Sequence, residues 1–516
     1  MRRLIGVLVV TALMTGLTAV GSAQPAASAS AGQMTWAVHF TLAPRWLDPA
    51  ESEGSITPFL TLYAVHDPML KPMPSGPSAN SLAESWTVSP TGLVYDFTLR
   101  ANARFHNGER VTAEDVKFSF ERYRGANAAT FKERVQEVRV LDARRVQFHL
   151  KEPWADFITF YGTTASTAGW VVPKKYVEQV GDEGFKKAPI GAGRYKVISF
   201  TPGVELQLEA FDGYWRKAPA VKKLIFRSLP DETTRAAALK RGDVDVAYFL
   251  NGPIAEEVRR TPGLRLMAVR SNTVFFLDFR GQWEAGSPWQ DPRVRTAASL
   301  AIDRRTMNDA EQLGFGGLTG NVVPRTLDFA LAIDADPYDP ARAKRLLAEA
   351  GFPNGFPATI SYATYGSTIV MDQLQLILKY LKDVGIDAKP IQQEYGAYIS
   401  TTFYGKYESM AFGPQTPFLD PDNFVYGPHV ANELKNQSHV EDPIATDLLV
   451  RQRRTMDPGK RREVLFDIQR HLAKQQWYVY LPSGVYIGVW DGALKNYGPN
   501  LGYDWGGRVT VAWLDR

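Results

Sequence analysis

Two pairs of carboxylates come nearest to a catalytic arrangement in this sequence. Asp243 and Asp245 lie on a segment of alternating polarity, and Asp420 and Asp422 lie in a predicted loop. Two carboxylates that face one cleft could serve as general acid and general base, for example in the hydrolysis of glycans. Asp243, however, directly follows a glycine at the predicted end of a helix, and the run DPDN at 420–423 has the composition of an Asx turn. Turn formation is therefore the favoured interpretation of both pairs, and a secreted hydrolase is the alternative.

The sequence offers little else for catalysis or metal binding. It contains no cysteine, which excludes disulfides, thiolate zinc sites, iron–sulfur clusters and cysteine nucleophiles. Nucleophile elbows, Walker loops and SxxK motifs are absent as well. We therefore predict a protein that is not an enzyme and has no metal or other cofactor. None of the seven histidines stands at a metal-binding spacing such as HExxH; they are His39, His66, His106, His149, His429, His439 and His471.

The composition predicts a multidomain globular protein. The chain has 516 residues, of which 45% are hydrophobic and 22% charged. This length allows roughly two to four domains, each with a core of its own. The 59 Lys and Arg residues nearly balance the 55 Asp and Glu residues, which leaves a formal charge of +4. Nucleic-acid binders need a basic surface that such a balance does not provide, so no nucleic-acid partner is expected.

The N-terminus has the pattern of a secretory signal. Arg2 and Arg3 precede the apolar stretch 4–20, and the run GSA at 21–23 is small enough for a signal peptidase. We therefore predict a signal peptide over residues 1–23 that is cleaved near Ala23, with a second small-residue site at 27–29. Because no cysteine follows, the mature chain cannot carry the lipid that anchors exported bacterial proteins. The expected product is a freely diffusing monomer in the periplasm.

Helix caps and alternating segments predict a mixed α/β fold. Three Asp-Pro pairs, at 291–292, 339–340 and 457–458, each place an N-cap aspartate before a proline at the first helical position. Residues 93–99 and 358–362 are predicted strands, and two helices are predicted to end at Gly351 and Gly385. Helices that alternate with short strands favour open sheets, whose ligands bind at the strand ends or between domains.

Five aromatic residues crowd one late segment that is predicted to be a strand. Alternate residues of a strand face opposite sides, so some of these rings belong to a core and others could line a cleft. The sequence alone does not show which of these rings belong to a core and which line a cleft. The five are Trp477, Tyr478, Tyr480, Tyr486 and Trp490.

A series of motifs resembles family 5 of the extracellular solute-binding proteins, which are the peptide, oligopeptide and nickel binders of ABC importers. The most specific motifs lie at 82–86 (LAESW), 95–100 (YDFTLR) and 105–116 (FHNGERVTAEDV). Most of the motifs concern the scaffold, so they identify a fold and a role and say little about the ligand. Others lie at 47–49 (LDP), 189–195 (PIGAGRY), 238–245 (ALKRGDVD), 291–295 (DPRVR), 301–304 (AIDR) and 343–351 (AKRLLAEAG).

The resemblance implies a Venus-flytrap α/β fold with mixed sheets, in which two lobes close over a solute and an additional domain is inserted. Lobe one would be discontinuous, with residues 34–71, 188–282 and 485–516, the inserted domain would span 72–187, and lobe two would span 283–484. The closed form would dock on the permease subunits of an ABC importer. A haem-scavenging or chaperone-like binder is a further alternative, because some relatives have such side roles.

The sequence departs from the peptide binders of this family where they hold the amino terminus of a peptide. In those proteins a GWxxD motif precedes a DPxNF motif. The aspartate of GWxxD pairs with the α-amino group of the ligand. Aligning DPDNF at 420–424 places Pro414 at the tryptophan and Pro417 at that aspartate. Proline supplies neither charge nor N–H. The expected ligand is therefore a peptide-like or other small organic solute that lacks a free α-amine.

A second departure concerns a cation near the predicted cleft. The run FLDFR at 276–280 ends in Arg280, where relatives usually have asparagine. Arginine there could bind a carboxylate or phosphate of the ligand, or it could instead pair with Asp278 or Glu284. A ligand with an anionic or polyhydroxyl group would fit the first case. The ligand contacts predicted from the resemblance are Glu53, Ser55, Phe276, Arg280, Gly413, Gln415, Thr416 and Phe418.

Overall fold

The structure, a computed structural model, describes residues 32–52, 59–73, 76–125, 127–162, 166–282, 284–363, 369–394, 397–398, 401–402, 405–415, 418–431, 433, 435–498 and 508–515. The predicted signal peptide lies outside these residues. The strands are β1 Gln33–Val38, β2 Leu70–Met73, β3 Gly76–Asn80, β4 Ala83–Val88, β5 Val94–Leu99, β6 Val135–Val140, β7 Arg145–Leu150, β8 Tyr195–Thr201, β9 Glu205–Ala210, β10 Lys223–Ser228, β11 Val246–Ala247, β12 Leu264–Phe279, β13 Phe356–Ala363, β14 Ile386–Gln393, β15 Met410–Pro414, β16 Tyr478–Asp491, β17 Leu494–Lys495 and β18 Trp513–Leu514. The helices are α1 Phe59–Val65, α2 Ala113–Arg122, α3 Ala128–Arg134, α4 Phe157–Tyr161, α5 Lys174–Lys187, α6 Glu232–Arg241, α7 Gly252–Arg259, α8 Pro292–Leu300, α9 Arg304–Gln312, α10 Pro340–Glu349, α11 Ile369–Val384, α12 Asp422–His429, α13 Pro443–Arg454 and α14 Pro458–Gln475. None of the helices within these ranges combines the length and the apolar character needed to cross a membrane.

One ten-stranded sheet runs through both lobes, in the order β14-β13-β15-β12-β16-β11-β1-β10-β9-β8. Its central strands β12 and β16 are long and pair antiparallel from Leu264↔Asp491 to Asp278↔Tyr478. Lobe one extends the sheet from β11 to β8, and its strands β1, β10 and β11 are parallel to one another. Lobe two extends it from β15 to β14, and these three strands are also mutually parallel. The predicted two-lobed α/β fold is confirmed.

The two faces of the sheet carry different cores, and β16 shows the division. Its odd-numbered apolar residues and its even-numbered aromatic residues fall into different cores, as the period of two along a strand requires. Tyr478 and Tyr480 belong to the core of lobe two that includes residues of α12–α14. Tyr486 and Trp490 belong to a core of lobe one. The crowded aromatic segment is therefore shared between the two lobes.

A second sheet, separate from the first, is formed by β4, β5, β7 and β6 in that order, all antiparallel. Its core is rich in aromatic rings, with Phe97, Phe131, Phe148, Trp154 and Phe157 all fully or almost fully buried. This sheet lies inside the predicted inserted domain, residues 72–187, which we call the insert. The exact boundaries of the insert and of the lobes stay predictions.

The predicted helix ends are confirmed by their capping interactions. The helices stop before Gly351 and Gly385, whose φ angles of 93° and 106° are ones that glycine adopts without strain. Each of the Asp-Pro aspartates accepts a hydrogen bond from a backbone N–H in the first helical turn; they are Asp291, Asp339 and Asp457.

Candidate functional site

The carboxyl ends of the parallel strands of both lobes meet in the middle of the molecule. β11 is antiparallel to β16 and β16 is antiparallel to β12, so β11 runs from lobe one toward lobe two. β15 is antiparallel to β12 and runs the opposite way, ending at Pro414 opposite Phe275. Ligands of open α/β sheets bind at the carboxyl ends of the strands. We call the space between these converging ends the crevice.

Aromatic rings that follow β1 and β11 form the lobe-one wall of the crevice. His39 comes directly after β1, and its ring centroid lies 4.8 Å from that of Phe249 and 5.7 Å from that of Tyr248. The ring of Phe249 also lies 5.9 Å from that of Tyr486 on β16. Phe249 has a φ of 58°, a left-handed conformation that is rare for a bulky residue and that is often found at ligand sites.

A buried arginine on α6 holds this wall in place. Arg235 donates to the carbonyl oxygens of Tyr248 at 3.0 Å and Phe249 at 2.8 Å, and also to that of Leu229 at 2.7 Å. The turns after β10 and β11 are thereby tied to one guanidinium group. Burial lowers the pKa of Arg235 to about 10, which leaves it charged at neutral pH.

His39 contributes an uncharged ring to the crevice. Burial, reinforced by the nearby charge of Arg235, lowers the pKa of His39 to about 3. The imidazole is therefore neutral throughout the physiological range. Its Nδ1 is buried, and no group among the described residues forms a hydrogen bond with it.

The floor of the crevice is the point where β12 crosses from one lobe to the other. The ladder between β12 and β16 is irregular between Arg270 and Val274. In this stretch Thr273 Oγ1 lies 3.4 Å from the hydroxyl of Tyr486. Asn272 donates from Nδ2 to the carbonyl oxygen of Phe418 at 3.1 Å, which ties the floor to lobe two.

The lobe-two wall contains four of the predicted ligand contacts. Gly413 pairs with Phe276 across β15 and β12. Gln415 donates its backbone N–H to the carbonyl oxygen of Val274 at 2.8 Å. Phe418 and Phe276 are 5% and 8% exposed and belong to one core. The structure therefore brings Phe276, Gly413, Gln415 and Phe418 together at the end of β15, and their contact with ligand stays a prediction.

Arg280 follows the lobe-two end of β12, whereas the crevice floor lies in the middle of that strand. It is six residues beyond Val274, which corresponds to about 20 Å along a strand. Its Nε donates to the carbonyl oxygen of Gly405 at 3.0 Å, and its guanidinium lies 3.8 Å from Glu284. Of the two carboxylates that sequence analysis offered as partners, the one that pairs with Arg280 is Glu284. The predicted contacts Glu53, Ser55 and Thr416 lie outside the described residues.

The carboxylate pairs considered for catalysis have structural partners. Asp243 pairs with Arg241 at 2.7 Å, and Asp245 accepts the backbone N–H of Thr35 at 2.7 Å. Asp420 forms the expected Asx turn by accepting the backbone N–H of Asp422 at 2.9 Å. The expectation of a loop at Asp422 was wrong, because this residue begins α12. All four carboxylates thus have structural partners, which does not favour the hydrolase alternative.

A cavity of about 550 Å³ lies beside α9. Four arginines and three aspartates contribute to its lining. Arg304 donates to the carbonyl oxygens of Tyr480 and Ser299, and Arg325 pairs with Asp334 at 2.7 Å. Much of the charge around this cavity is therefore already satisfied within the protein.

The lobe-one wall was not foreseen from the sequence. His39, Tyr248 and Phe249 were not singled out as a site, although each follows the end of a strand in a parallel arrangement. The signal that could have found them is the rule that ligands bind at the carboxyl ends of parallel strands. Applying it required the pairing of β1 with β11, which short-range sequence patterns do not reveal.

Comparison with protein families gives one match that covers most of the chain. Residues 79–432 match the description "Bacterial extracellular solute-binding proteins, family 5 Middle". The chain is 27% identical to heme-binding protein A of Haemophilus influenzae, over 67% of this chain and 67% of that protein. It is also 27% identical to the dipeptide-binding protein of Escherichia coli, over 74% of this chain and 76% of that protein.

Comparison with solved structures agrees with the sequence comparison. The periplasmic binding protein DppA of Helicobacter pylori, determined in complex with the peptide STSA, superposes with a TM-score of 0.80. It is 25% identical in sequence, and the superposition covers 94% of this chain and 98% of that one. The similarity therefore extends over both lobes and the insert.

Proposed function

Because this chain belongs to family 5 of the bacterial extracellular solute-binding proteins, we propose that it captures a small organic or peptide-like solute between its lobes and delivers it to the permease subunits of an ABC importer. The observation that carries this proposal is the convergence of two sets of strand ends on one aromatic crevice. The export signal expected at residues 1–23 places this role in the periplasm. No catalytic step is part of it.

The ligand that we propose lacks a free α-amine. Support comes from Pro417, which stands where similar peptide binders have an amine-pairing aspartate. The described residues that we assign to the wall and floor include no carboxylate, so none of these residues offers a counter-ion to a cationic amine. Aromatic faces and hydroxyl or amide groups instead suit an uncharged or polyhydroxyl surface. These residues are His39, Tyr248, Phe249, Asn272, Thr273, Gln415, Phe418 and Tyr486.

The direct test is to identify what the protein holds. The natively purified mature chain is denatured, and released small molecules are identified by mass spectrometry. Each candidate is then added back to stripped protein, where a true ligand must raise the melting temperature because it binds only the folded state. Failure of every released compound to raise it would contradict the receptor proposal.

Calorimetry tests the ligand class separately. Ordinary dipeptides and tripeptides are expected not to bind tightly, and tight binding of any of them would refute the ligand class while leaving the receptor role intact. With the solute that does bind, Tyr486→Phe is expected to weaken affinity about fivefold, the size of one lost hydrogen bond. Tyr338→Phe is the matched control, since Tyr338 is 46% exposed and lines the cavity beside α9.

The haem-binding alternative is tested by titration with haem, followed by visible absorption. This test is included because the chain is similar to heme-binding protein A.

A further inference from the structure

The insert touches lobe two directly, at a place separate from the crevice. Ala155 donates its backbone N–H to the carbonyl oxygen of Arg453 at 3.2 Å. Glu152 pairs with Arg454 at 3.3 Å, and Asn423 lies within 3.4 Å of Asp156. These contacts connect the segment before α4 with α12 and the end of α13. If the insert moves with lobe one, opening of the two lobes breaks these contacts.

Lobe two presents two buried ion pairs at this contact. Asp422 receives Nε and Nη2 of Arg453, both at 2.8 Å. Asp420 receives Nη1 and Nη2 of Arg461 at 2.8 and 2.6 Å. Both pairs are bidentate, and three of the four side chains are less than a tenth exposed, while that of Arg453 is 18% exposed. Each carboxylate of lobe two is thus already matched by one guanidinium group.

Asp156 of the insert brings a third carboxylate to these two pairs. It is 2% exposed, and within the described part of the chain the one hydrogen bond to its Oδ2 is the 3.4 Å contact from Asn423. No hydrogen bond to its Oδ1 is present among the described residues. Counted by themselves, the three carboxylates and the two guanidinium groups of these side chains carry one excess negative charge unless a proton is bound. Burial, together with the charges of Asp422 and Asp420, raises the pKa of Asp156 to about 7.

Other charged groups surround the cluster, and two of them, Arg134 and Arg454, pair with Glu152. On the insert, Arg134 stacks 4.2 Å above the ring of Trp154 and lies 3.4 Å from Glu152. Burial opposes the charged form of Asp422, yet the charge of Arg453 keeps the pKa of Asp422 below its ordinary value. The remaining titratable neighbours are Tyr95 on the insert and Tyr426, Glu433, Lys435 and Arg454 on lobe two.

We propose that Asp156 makes this contact a proton-dependent latch between the insert and lobe two, which takes up one proton when the lobes close and releases it when they part. The inference rests on the proposed function in one respect, since it requires that the lobes move. In the closed form Asp156 is buried against two other carboxylates and binds a proton. In the open form it faces water and the two ion pairs of lobe two remain intact.

The direction of the pH effect follows from the two protonation states. An exposed aspartate has a pKa of about 3.9. Asp156 in the closed form has a raised pKa of about 7, so the closed form holds more protons between these values. The equilibrium constant for closing is therefore largest below about pH 4 and falls by up to about tenfold per pH unit until pH 7. Above pH 7 it no longer changes.

The test follows the distance between the insert and lobe two without any ligand. Because the chain has no cysteine, Leu141→Cys and Ile444→Cys create unique exposed sites for a donor and an acceptor dye. Transfer efficiency is measured from pH 5 to pH 8, and the closing constant is expected to fall by at least tenfold up to pH 7. Asp156→Asn imitates the protonated carboxyl group, so its closing constant is expected to stay constant over this range. Glu114→Gln, an exposed change on the insert, is the control that keeps the response.

A second variant keeps the inference testable if Asp156→Asn folds poorly. Asp420→Asn removes one carboxylate from the cluster, so the pH midpoint of closing is expected to move to lower pH. A pH response that persists unchanged in Asp156→Asn or in Asp420→Asn would overturn the latch. The absence of any response in the dye-labelled chain that carries only the two cysteine substitutions would overturn it as well. Because no ligand is added, these outcomes are independent of whether a released solute is found to bind.

Discussion

At the scale of residues, the structure uses arginines in two different ways. Arg235, Arg295 and Arg304 are buried and donate to backbone carbonyl oxygens, and burial lowers the pKa of each to about 10. Arg453 and Arg461 instead pair with aspartates. The first group joins separate chain segments through their carbonyl oxygens, and the second neutralises buried carboxylates.

Arg235 and Arg295 allow a matched prediction, because they have the same chemistry in different places. Lysine cannot reproduce the branched donor geometry that reaches several carbonyl oxygens. Arg235→Lys is expected to destabilise the fold by about 1–3 kcal/mol and also to weaken binding of the released solute, since it frees the Tyr248–Phe249 turn. Arg295 donates to the carbonyl oxygens of Trp289 and Gln476 instead. Arg295→Lys should cost similar stability and leave affinity unchanged, as measured by urea unfolding and calorimetry; equal losses of affinity would argue against a positioning role for Arg235.

A second prediction concerns the ion pair between Asp420 and Arg461. Arg461→Met leaves a buried carboxylate without its partner, and breaking such a pair costs about 3–5 kcal/mol of unfolding free energy. Adding Asp420→Asn removes the stranded charge, so the double variant is expected to recover part of the loss. Urea unfolding measures both variants, and a double variant no more stable than Arg461→Met would contradict this account.

At the level of single residues, the sequence supports predictions where a position lies next to a local motif. The end of β15, with Gly413, Gln415 and Phe418, was located because the DPxNF motif directly follows it. No local sequence pattern indicated a role for Asp156, because the carboxylates that raise its pKa are more than 260 residues away in the chain. Arg280 was placed near the cleft, although the direction of β12 carries it away from the strand ends.

At the scale of elements, capping explains why the helices begin where they do. Asp457 accepts the backbone N–H of Lys460 at 2.8 Å, and Pro458 occupies the first helical position of α14. Asp457→Ala is expected to lower the unfolding free energy by about 1 kcal/mol, because one N-terminal N–H loses its acceptor. Asp467→Ala is the control in the same helix, since Asp467 is exposed and pairs only with Arg470 at 2.8 Å. Thermal or urea unfolding compares them, and equal effects would mean that the cap contributes nothing special.

Element types were predictable and strand pairing was not. Proline, glycine and aspartate at the helix ends, and alternating polarity in strands such as β5, act within a few residues. The pairing of Val246 with Trp490 joins segments that are distant in the chain, and no local pattern specifies it. The one continuous sheet was therefore visible only in the structure.

At the scale of the whole molecule, the two lobes share two strands of one continuous sheet. β12 and β16 are each part of both lobes, and the irregular stretch of their ladder, between Arg270 and Val274, lies at the crevice floor. The insert adds a polar contact to lobe two, outside the crevice. Closing can thus bend the sheet at one irregular point while the regular ladders on either side stay intact.

The shared sheet also constrains how the chain acquires its fold. β11 and β1 of lobe one come early in the chain, yet β16, the strand that covers the edge at β11, is supplied only by residues 478–491. Contacts of such long range form slowly. Until β16 arrives, lobe one has an exposed strand edge to which strands of other molecules can add. We expect refolding from denaturant to lose protein to aggregation as concentration rises, with the loss arising before β16 has docked.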